Sequence, residues 1–474
     1  MSAQEYDVIV IGAGPVGENV ADRAVQGGLT AVIVEAELVG GECSYWACMP
    51  SKALLRPTEA LAAARSVAGA AEAVTGDVDI AAVLRRRTDF THDWDDAGQV
   101  EWLGSAGIDL VRGHGRISAV KEVTVTADDG TITVLTARHA VAVCTGTSAL
   151  IPDIPGLPEI SPWTSREATS ADHVPASLTV IGGGVVGVEM ATLYAALGSQ
   201  VTMIAPSGVL PRMEPFVSER VAASLRESGV VFADSRPASA HLGVEGRTVV
   251  LTDGSEITSE EVLVATGRRP RTSDLGLTAL GLSGVNDDDW ISVDDTMRVP
   301  DTNWLYAVGD VNHRALLTHQ GKYQARAAGD VIAARAHGRP VDDSAWGVHV
   351  ATADHTAVPQ VVFSHPPVGS VGRTAHEADA AGLRTRVVDY DLGSVAGAAT
   401  FADGYAGHAR MIVDEDRGVV IGATLIGPGV EEMVHAATIA VVGEVPLARL
   451  WHAVPSYPTV SEVWLRLLET YGRP

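Results

Sequence analysis

One pattern occurs twice in this chain of 474 residues and limits the folds open to it. The run Tyr6–Ile11 reads as a buried strand of a parallel sheet. Gly12-Ala13-Gly14-Pro15-Val16-Gly17 follows it, then a helical pattern as far as Gly27, then a strand Thr30–Val34 ending at Glu35. Gly12, Gly14 and Gly17 permit a tight turn, close approach of backbone to a pyrophosphate, and close packing of helix on strand. Glu35, eighteen residues beyond Gly17, stands where a carboxylate accepts hydrogen bonds from a ribose. The second copy runs from Leu178–Ile181 through Gly182, Gly184 and Gly187 to a helix ending at Leu197 and a strand Gln200–Ile204. At the offset of Glu35 it has Ala205, with Ser207 and Arg212 nearby to approach a 2′-phosphate, which tilts the choice between NADPH and NADH toward NADPH. Two such units imply two dinucleotides, and hydride transfer between them is the simplest reason to hold both. The expected fold class is α/β, with two Rossmann-like dinucleotide-binding domains.

Between the strand ending at Glu35 and the next helix lies Gly40-Gly41-Glu42-Cys43-Ser44-Tyr45-Trp46-Ala47-Cys48-Met49-Pro50-Ser51-Lys52. Pro50 lacks an N–H and belongs in a first helical turn, so a helix is expected to begin near Met49 and run through Leu55. Both thiols then lie at the positive end of that helix, which favours a thiolate, the form that attacks disulfides. Taken alone, two close cysteines read more readily as two small buried apolar residues; the Gly-Gly turn before them and Pro-Ser-Lys after them point to the redox reading.

The net charge of −25, with no basic cluster larger than Arg85-Arg86-Arg87, argues against a nucleic-acid partner. Three cysteines in so long a chain suit a reducing cytosol rather than a disulfide scaffold. The first apolar run is short and leads straight into a glycine turn, and no apolar stretch is long enough for a bilayer, so a soluble cytoplasmic protein without a membrane partner is expected. The length suits two to four domains.

Further motifs close the pattern. Val143-Cys144-Thr145-Gly146 and Val264-Ala265-Thr266-Gly267-Arg268-Arg269-Pro270 look like strand-end turns, and Thr302–Asp310 like a second flavin fingerprint. With Gly40–Lys52 and a C-terminal segment opening at Pro359–Phe363, these residues resemble the class I pyridine nucleotide–disulfide oxidoreductases over nearly the whole chain. The resemblance implies an FAD-binding domain over 1–152 that returns over 271–346, an NAD(P)-binding domain over 153–270, and an α+β dimerisation domain over 355–474 of a homodimer. It implies that Gly12, Gly14, Gly17, Glu35, Gly41, Thr145, Gly146, Gly309, Asp310 and Thr318 belong to the FAD site. Gly182, Gly184, Gly187, Gly267 and Arg268 would serve the nucleotide sites likewise. Cys48 would be the charge-transfer thiol beside the flavin, Cys43 the interchange thiol that meets the substrate, and Lys52 would stand at the flavin paired with Glu189. A buried ammonium needs such an anion. Cys144, with no partner in sequence, reads as structural, and no metal site is expected.

The pattern breaks at one place. Family members that reduce disulfides carry a histidine five residues before a glutamate, whereas here Tyr457 precedes Glu462. A tyrosine near its reference pKa of about 10 is a poor base at neutral pH. His452 lies a few residues earlier and reads as an ordinary surface residue. Mercuric reductases share such a tyrosine, but this chain ends without their cysteine pair. The expected activity is electron transfer from NAD(P)H through FAD and a Cys43–Cys48 disulfide to a small disulfide acceptor. The alternatives are direct reduction of quinones or metal ions, and a non-catalytic role in a dehydrogenase complex. Elsewhere the sequence suggests an alanine-rich helix over Pro57–Ala73, another over Ile80–Leu103 with Arg85–Arg87 on its solvated side, a polar helix face at His92–Asp96, and a small antiparallel sheet over Gly115–Val134. A helix is expected to start at Leu317–His319.

Overall fold

The computed structural model of the protein describes residues 4–282 and 284–473, and the counts below are of these described residues. The chain folds as two compact units. The first gathers residues up to Pro50, Thr88–Ala149 and Arg268–His355. Its centre is a sheet in the order Ile108–Arg112, Ala31–Glu35, Gln4–Ile11, Ile132–Val143, Glu122–Thr126, His114–Ala119, with Leu305–Ala307 added on Ile132–Val143. The pairs of Gln4–Ile11 with Ala31–Glu35 and Ile132–Val143 are parallel, as expected for strands whose Val8, Ile9 and Val10 are sealed on both faces. The antiparallel hairpins expected over Gly115–Val134 are present, but they extend this sheet instead of forming one of their own.

On one face the helices Pro15–Gln26 and Thr318–Ala336 cross closely. Glycine makes that approach possible: a Cβ at Gly321 would lie 2.6 Å from Val16 Cγ2, and one at Gly329 2.5 Å from Arg23 Cβ.

The second unit holds Ser51–Arg87, Leu150–Gly267 and the chain from Thr356 onward. It contains a parallel sheet ordered Val231–Ala233, Gln200–Ile204, Ser177–Ile181, Glu261–Val264 and a three-stranded antiparallel sheet, Pro237–Leu242, Arg247–Leu251, Glu256–Ser259. A five-stranded antiparallel sheet follows in the order Pro359–Val362, Val368–Gly372, Val419–Ile426, His408–Asp414, Thr385–Asp391. The helix Val185–Ala196 is apolar nearly all round and buried in a core with Leu178, Val180 and Met203. No described helix is long and apolar enough to cross a membrane.

Four local expectations are corrected. One helix, Cys48–Arg65, starts a residue earlier than expected and continues through Pro57, while residues 66–73 are turns and a short 3-10 segment. The lost N–H of Pro57 is outweighed by the anchoring of Leu54 and Leu55 in the core. The stretch expected as Ile80–Leu103 is two helices, Ile80–Phe90 and Ala97–Ser105. Between them His92, Asp93 and Trp94 all have left-handed φ, of 49°, 54° and 56°, so this is a turn and not a helix face. Arg87 is not solvated: it is 4% exposed, and its guanidinium donates to the Thr169 and Ala171 carbonyls.

Candidate active site

In the first unit the fingerprint turn is shaped by its glycines. Gly12 has φ of +103°, and a Cβ at Gly17 would stand 1.9 Å from the Gly12 carbonyl oxygen. Gly14 caps Pro15–Gln26 with no side-chain partner, leaving first-turn N–H groups for an anion. The side of Gly14 faces open space, with no atom within 4 Å of a would-be Cβ. Glu35 accepts from Ala13 N at 2.6 Å and from Glu37 N at 2.7 Å, and burial pushes its carboxyl up.

Gly12, Gly14, Glu35 and Glu37 line a cavity of about 470 Å³ together with Gly41, Cys43, Thr145, Gly146, Arg268, Asp310 and Thr318. Asp310 accepts from Thr147 Oγ1 at 2.8 Å and is pushed up by burial. Arg268 Nη2 donates to the Thr147 carbonyl at 2.8 Å. Gly309 is held behind the cavity by its N–H on Gln324. Thr145 Oγ1 is buried without any hydrogen-bond partner. An orphan hydroxyl, an uncapped helix start and an open glycine side fit a phosphate- and ribose-bearing group such as FAD.

Cys43 lines that cavity, and Cys48 lies against Thr318 of its lining. Gly40 and Gly41 have φ of +110° and +56°, and a Cβ at Gly41 would press to 2.8 Å from Gly14 Cα. The short helix Gly41–Tyr45 carries Cys43, whereas Cys48 opens the next helix, so the two thiols do not share one helix start as expected. Both are free thiols. Cys43 hydrogen-bonds Cys48, which with burial keeps its proton on well above the ordinary thiol range. Cys48 Sγ also lies 3.2 Å from Thr318 Oγ1. Outside the loop, Trp94 Nε1 donates to the Tyr45 carbonyl at 3.2 Å, and Arg271 Nη2 to Glu42 Oε1 at 2.6 Å. Cys144 is 6% exposed, and burial alone pushes its thiol up.

In the second unit the fingerprint repeats this geometry. Gly182 has φ of +118°, a Cβ at Gly187 would meet the Gly182 oxygen at 2.1 Å, and Gly184 caps Val185–Ala196 without a side-chain partner. Ala205 is 6% exposed at the strand end, while Ser207 and Arg212 are exposed. Gly267, at φ of +152°, accepts from Leu150 N at 2.9 Å.

Lys52 Nζ donates to Glu189 Oε2 at 2.7 Å and lies 4.6 Å from the centre of the Phe363 ring, whose own N–H reaches Glu189 Oε1 at 3.1 Å. Tyr457 is 77% exposed. Glu462 is buried, accepts from Gly397 N at 3.3 Å and faces Arg466 at 3.8 Å. His452 is exposed. No described group of three His, Cys, Asp or Glu side chains is placed to hold a metal ion.

Two charged residues, one acting on Cys43 and the other on its neighbour Tyr45, escaped the sequence reading. Glu18 directly follows Gly17, and Lys322 lies one turn into the helix that begins at Thr318. The signal was there: a carboxyl on a helix face that packs inward, and one of only three lysines in the chain.

The pyridine nucleotide-disulphide oxidoreductase family model matches residues 6–334, and the dimerisation-domain model of the same family matches 358–467. The chain belongs to this family. It is an FAD-dependent pyridine nucleotide–disulfide oxidoreductase with a dimerisation domain, and the family's cofactors are FAD and NAD(P)H. Among its relatives, a dihydrolipoyl dehydrogenase of Halobacterium salinarum is 30% identical, the match covering 98% of this chain and 95% of the relative. A mercuric reductase of Acidithiobacillus ferrooxidans is also 30% identical, over 99% of this chain and 83% of the relative. The fold is shared with the HOCl-induced flavoprotein disulfide reductase RclA of Escherichia coli, solved as a Cu(II) complex (TM-score 0.84, 22% identity, 99% of each chain). It is shared as well with LpdA of Mycobacterium tuberculosis (TM-score 0.83, 24% identity, 99% of this chain and 100% of that one).

Proposed function

We propose that the protein is a cytoplasmic homodimer that takes a hydride from NADPH and delivers the electrons through Cys43 and Cys48 to a small disulfide. The observation that carries this is the thiol pair itself: Cys43 lines the cavity, bonds Cys48, and Cys48 rests on Thr318. Within it, residues 1–152 and 271–346 hold FAD, 153–270 hold the nicotinamide nucleotide, and 355–474 form the interface.

FAD, held by Gly12, Gly14, Glu35, Thr145, Gly146, Asp310 and Thr318, would supply the conversion of a nicotinamide hydride into the electron pair that a disulfide takes up. The chain's part is to place and poise that disulfide. Thr318 Oγ1 stabilises negative charge on Cys48 by hydrogen bonding, and Cys43, which lines the cavity, is the sulfur that exchanges with the substrate once it has lost its proton. Lys52, fixed by Glu189, supplies a positive charge that the buried carboxylate keeps in one position. Ala205 leaves no carboxylate to repel a 2′-phosphate, and Ser207 and Arg212 are free to meet one, which supports NADPH.

Tyr457 in the place of a histidine favours a second reading, direct reduction of a quinone or metal ion. Anaerobic titration with NADPH and NADH tests the first. The expected result is uptake of twice the electrons that the flavin alone holds, with a long-wavelength thiolate–flavin band. Uptake by the flavin alone, and full quinone turnover by Cys43→Ser, would establish the second reading instead.

A further inference from the structure

Two charged residues where the first unit's helices cross have no part in the account above. Glu18 lies on Pro15–Gln26 and Lys322 on Thr318–Ala336, the helices that Gly321 and Gly329 let cross at close range. Oε1 of Glu18 is buried and meets no hydrogen-bond partner. The ammonium of Lys322 acts on Glu18 and on Cys43 alike, and one turn earlier on the same helix Thr318 touches Cys48. The charged and titratable groups facing Glu18 are Lys322, Glu35 at the end of its strand, and Tyr45 of the short cysteine helix. Those facing Cys43 are Cys48 and Lys322, with the Thr318 hydroxyl beside them.

We propose that Glu18 and Lys322 form a tuning pair for the dithiol: Lys322 biases the sulfurs toward thiolate, and Glu18, by holding or releasing its proton, sets how much of that bias they feel. With Glu18 neutral, the lysine charge acts on the sulfurs uncompensated. With Glu18 ionised, its negative charge opposes that of the lysine. Burial raises the Glu18 carboxyl to about 7 against the pull of Lys322, so the pair changes state near neutral pH. Both residues act on the sulfurs through the field. The inference rests on the reading that Cys43 and Cys48 are the redox pair.

The test is the pH profile of iodoacetamide alkylation at Cys43 and Cys48, read by mass spectrometry on the holoenzyme reduced with a phosphine. Glu18→Gln should lower the apparent thiol pKa by about half a unit or more, and Lys322→Met should raise it by a similar amount. Lys322→Arg should restore the wild-type profile. Opposite shifts are the signature, because a merely structural disturbance would move both variants the same way. Unmoved profiles, or shifts of one sign, would overturn the proposal. If Lys322→Met does not fold, the direction of the Glu18→Gln shift decides the matter. Alkylation needs no electron transfer, so a dithiol that takes up no electrons from NADPH, with these shifts intact, would sink the functional reading and leave the tuning pair standing.

Discussion

The two fingerprints have almost the same backbone and quite different side-chain chemistry. Gly12 and Gly182 share a left-handed φ, and Gly17 and Gly187 face the same steric wall of a carbonyl oxygen 1.9 and 2.1 Å from a would-be Cβ. Each copy then buries one carboxyl just past its last glycine, but one residue out of step: Glu18 in the first, Glu189 in the second. Glu189 has an ammonium and a backbone N–H in direct contact, whereas Glu18 has an orphan oxygen and a lysine acting only through space. The lesson is that the repeated backbone fixes where a phosphate can lie. The residues decorating it decide what each copy does with charge.

The sharpest break of this comparison comes from the glycines. Gly17→Ala should abolish flavin loading, and Gly187→Ala should leave flavin bound but prevent its reduction by NADPH, both read from the visible spectrum. Equal flavin loss in both variants would show that the copies are not separable by ligand.

Next in size is the charge pair. Lys52→Met leaves the 6%-exposed Glu189 side chain without its cation and should cost about 3 kcal/mol in urea unfolding. Glu189→Gln should cost about 1 kcal/mol, because the half-exposed ammonium can turn to water. Reversal of that order would mean that the lysine is the deeper of the two.

The pH dependence of Glu18 runs the other way. Its carboxyl stands at about 7 in the fold against an ordinary 4.5, so ionising it costs stability as pH rises through that window. Glu18→Gln should therefore match the wild type near about pH 4 and gain up to about 3 kcal/mol near about pH 8, measured by urea unfolding at each pH. A gain at low pH would contradict the sign. Smallest is Ala205→Glu, expected to move nucleotide preference from NADPH toward NADH by about tenfold, or about 1.4 kcal/mol, in kcat/KM.

Much of the scaffold was legible because glycine punctuation and buried parallel strands leave strong marks. The strand, turn and helix of each copy and the helix opening at Thr318 follow from local chemistry alone. Pro57 misled, since a missing N–H is visible in sequence while the core that tolerates it is not. The left-handed turn at His92–Trp94 was invisible for a similar reason: His92 and Asp93 tolerate such geometry but do not demand it, and the Trp94 bond to Tyr45 comes from a remote segment. Arg87 read as solvated because nothing local announces the carbonyls of Thr169 and Ala171. Of the candidate site, the motif residues were legible and the electrostatics were not. Glu18 and Lys322 are 304 positions apart, and only the helix crossing brings them together.

The sealed position of Cys144 makes the molecule its own integrity gauge. A thiol reagent added to intact, reduced protein should count two reactive sulfurs. The third becomes available only when the central sheet of the first unit comes apart, so the moment it starts to label reports unfolding without any probe being added.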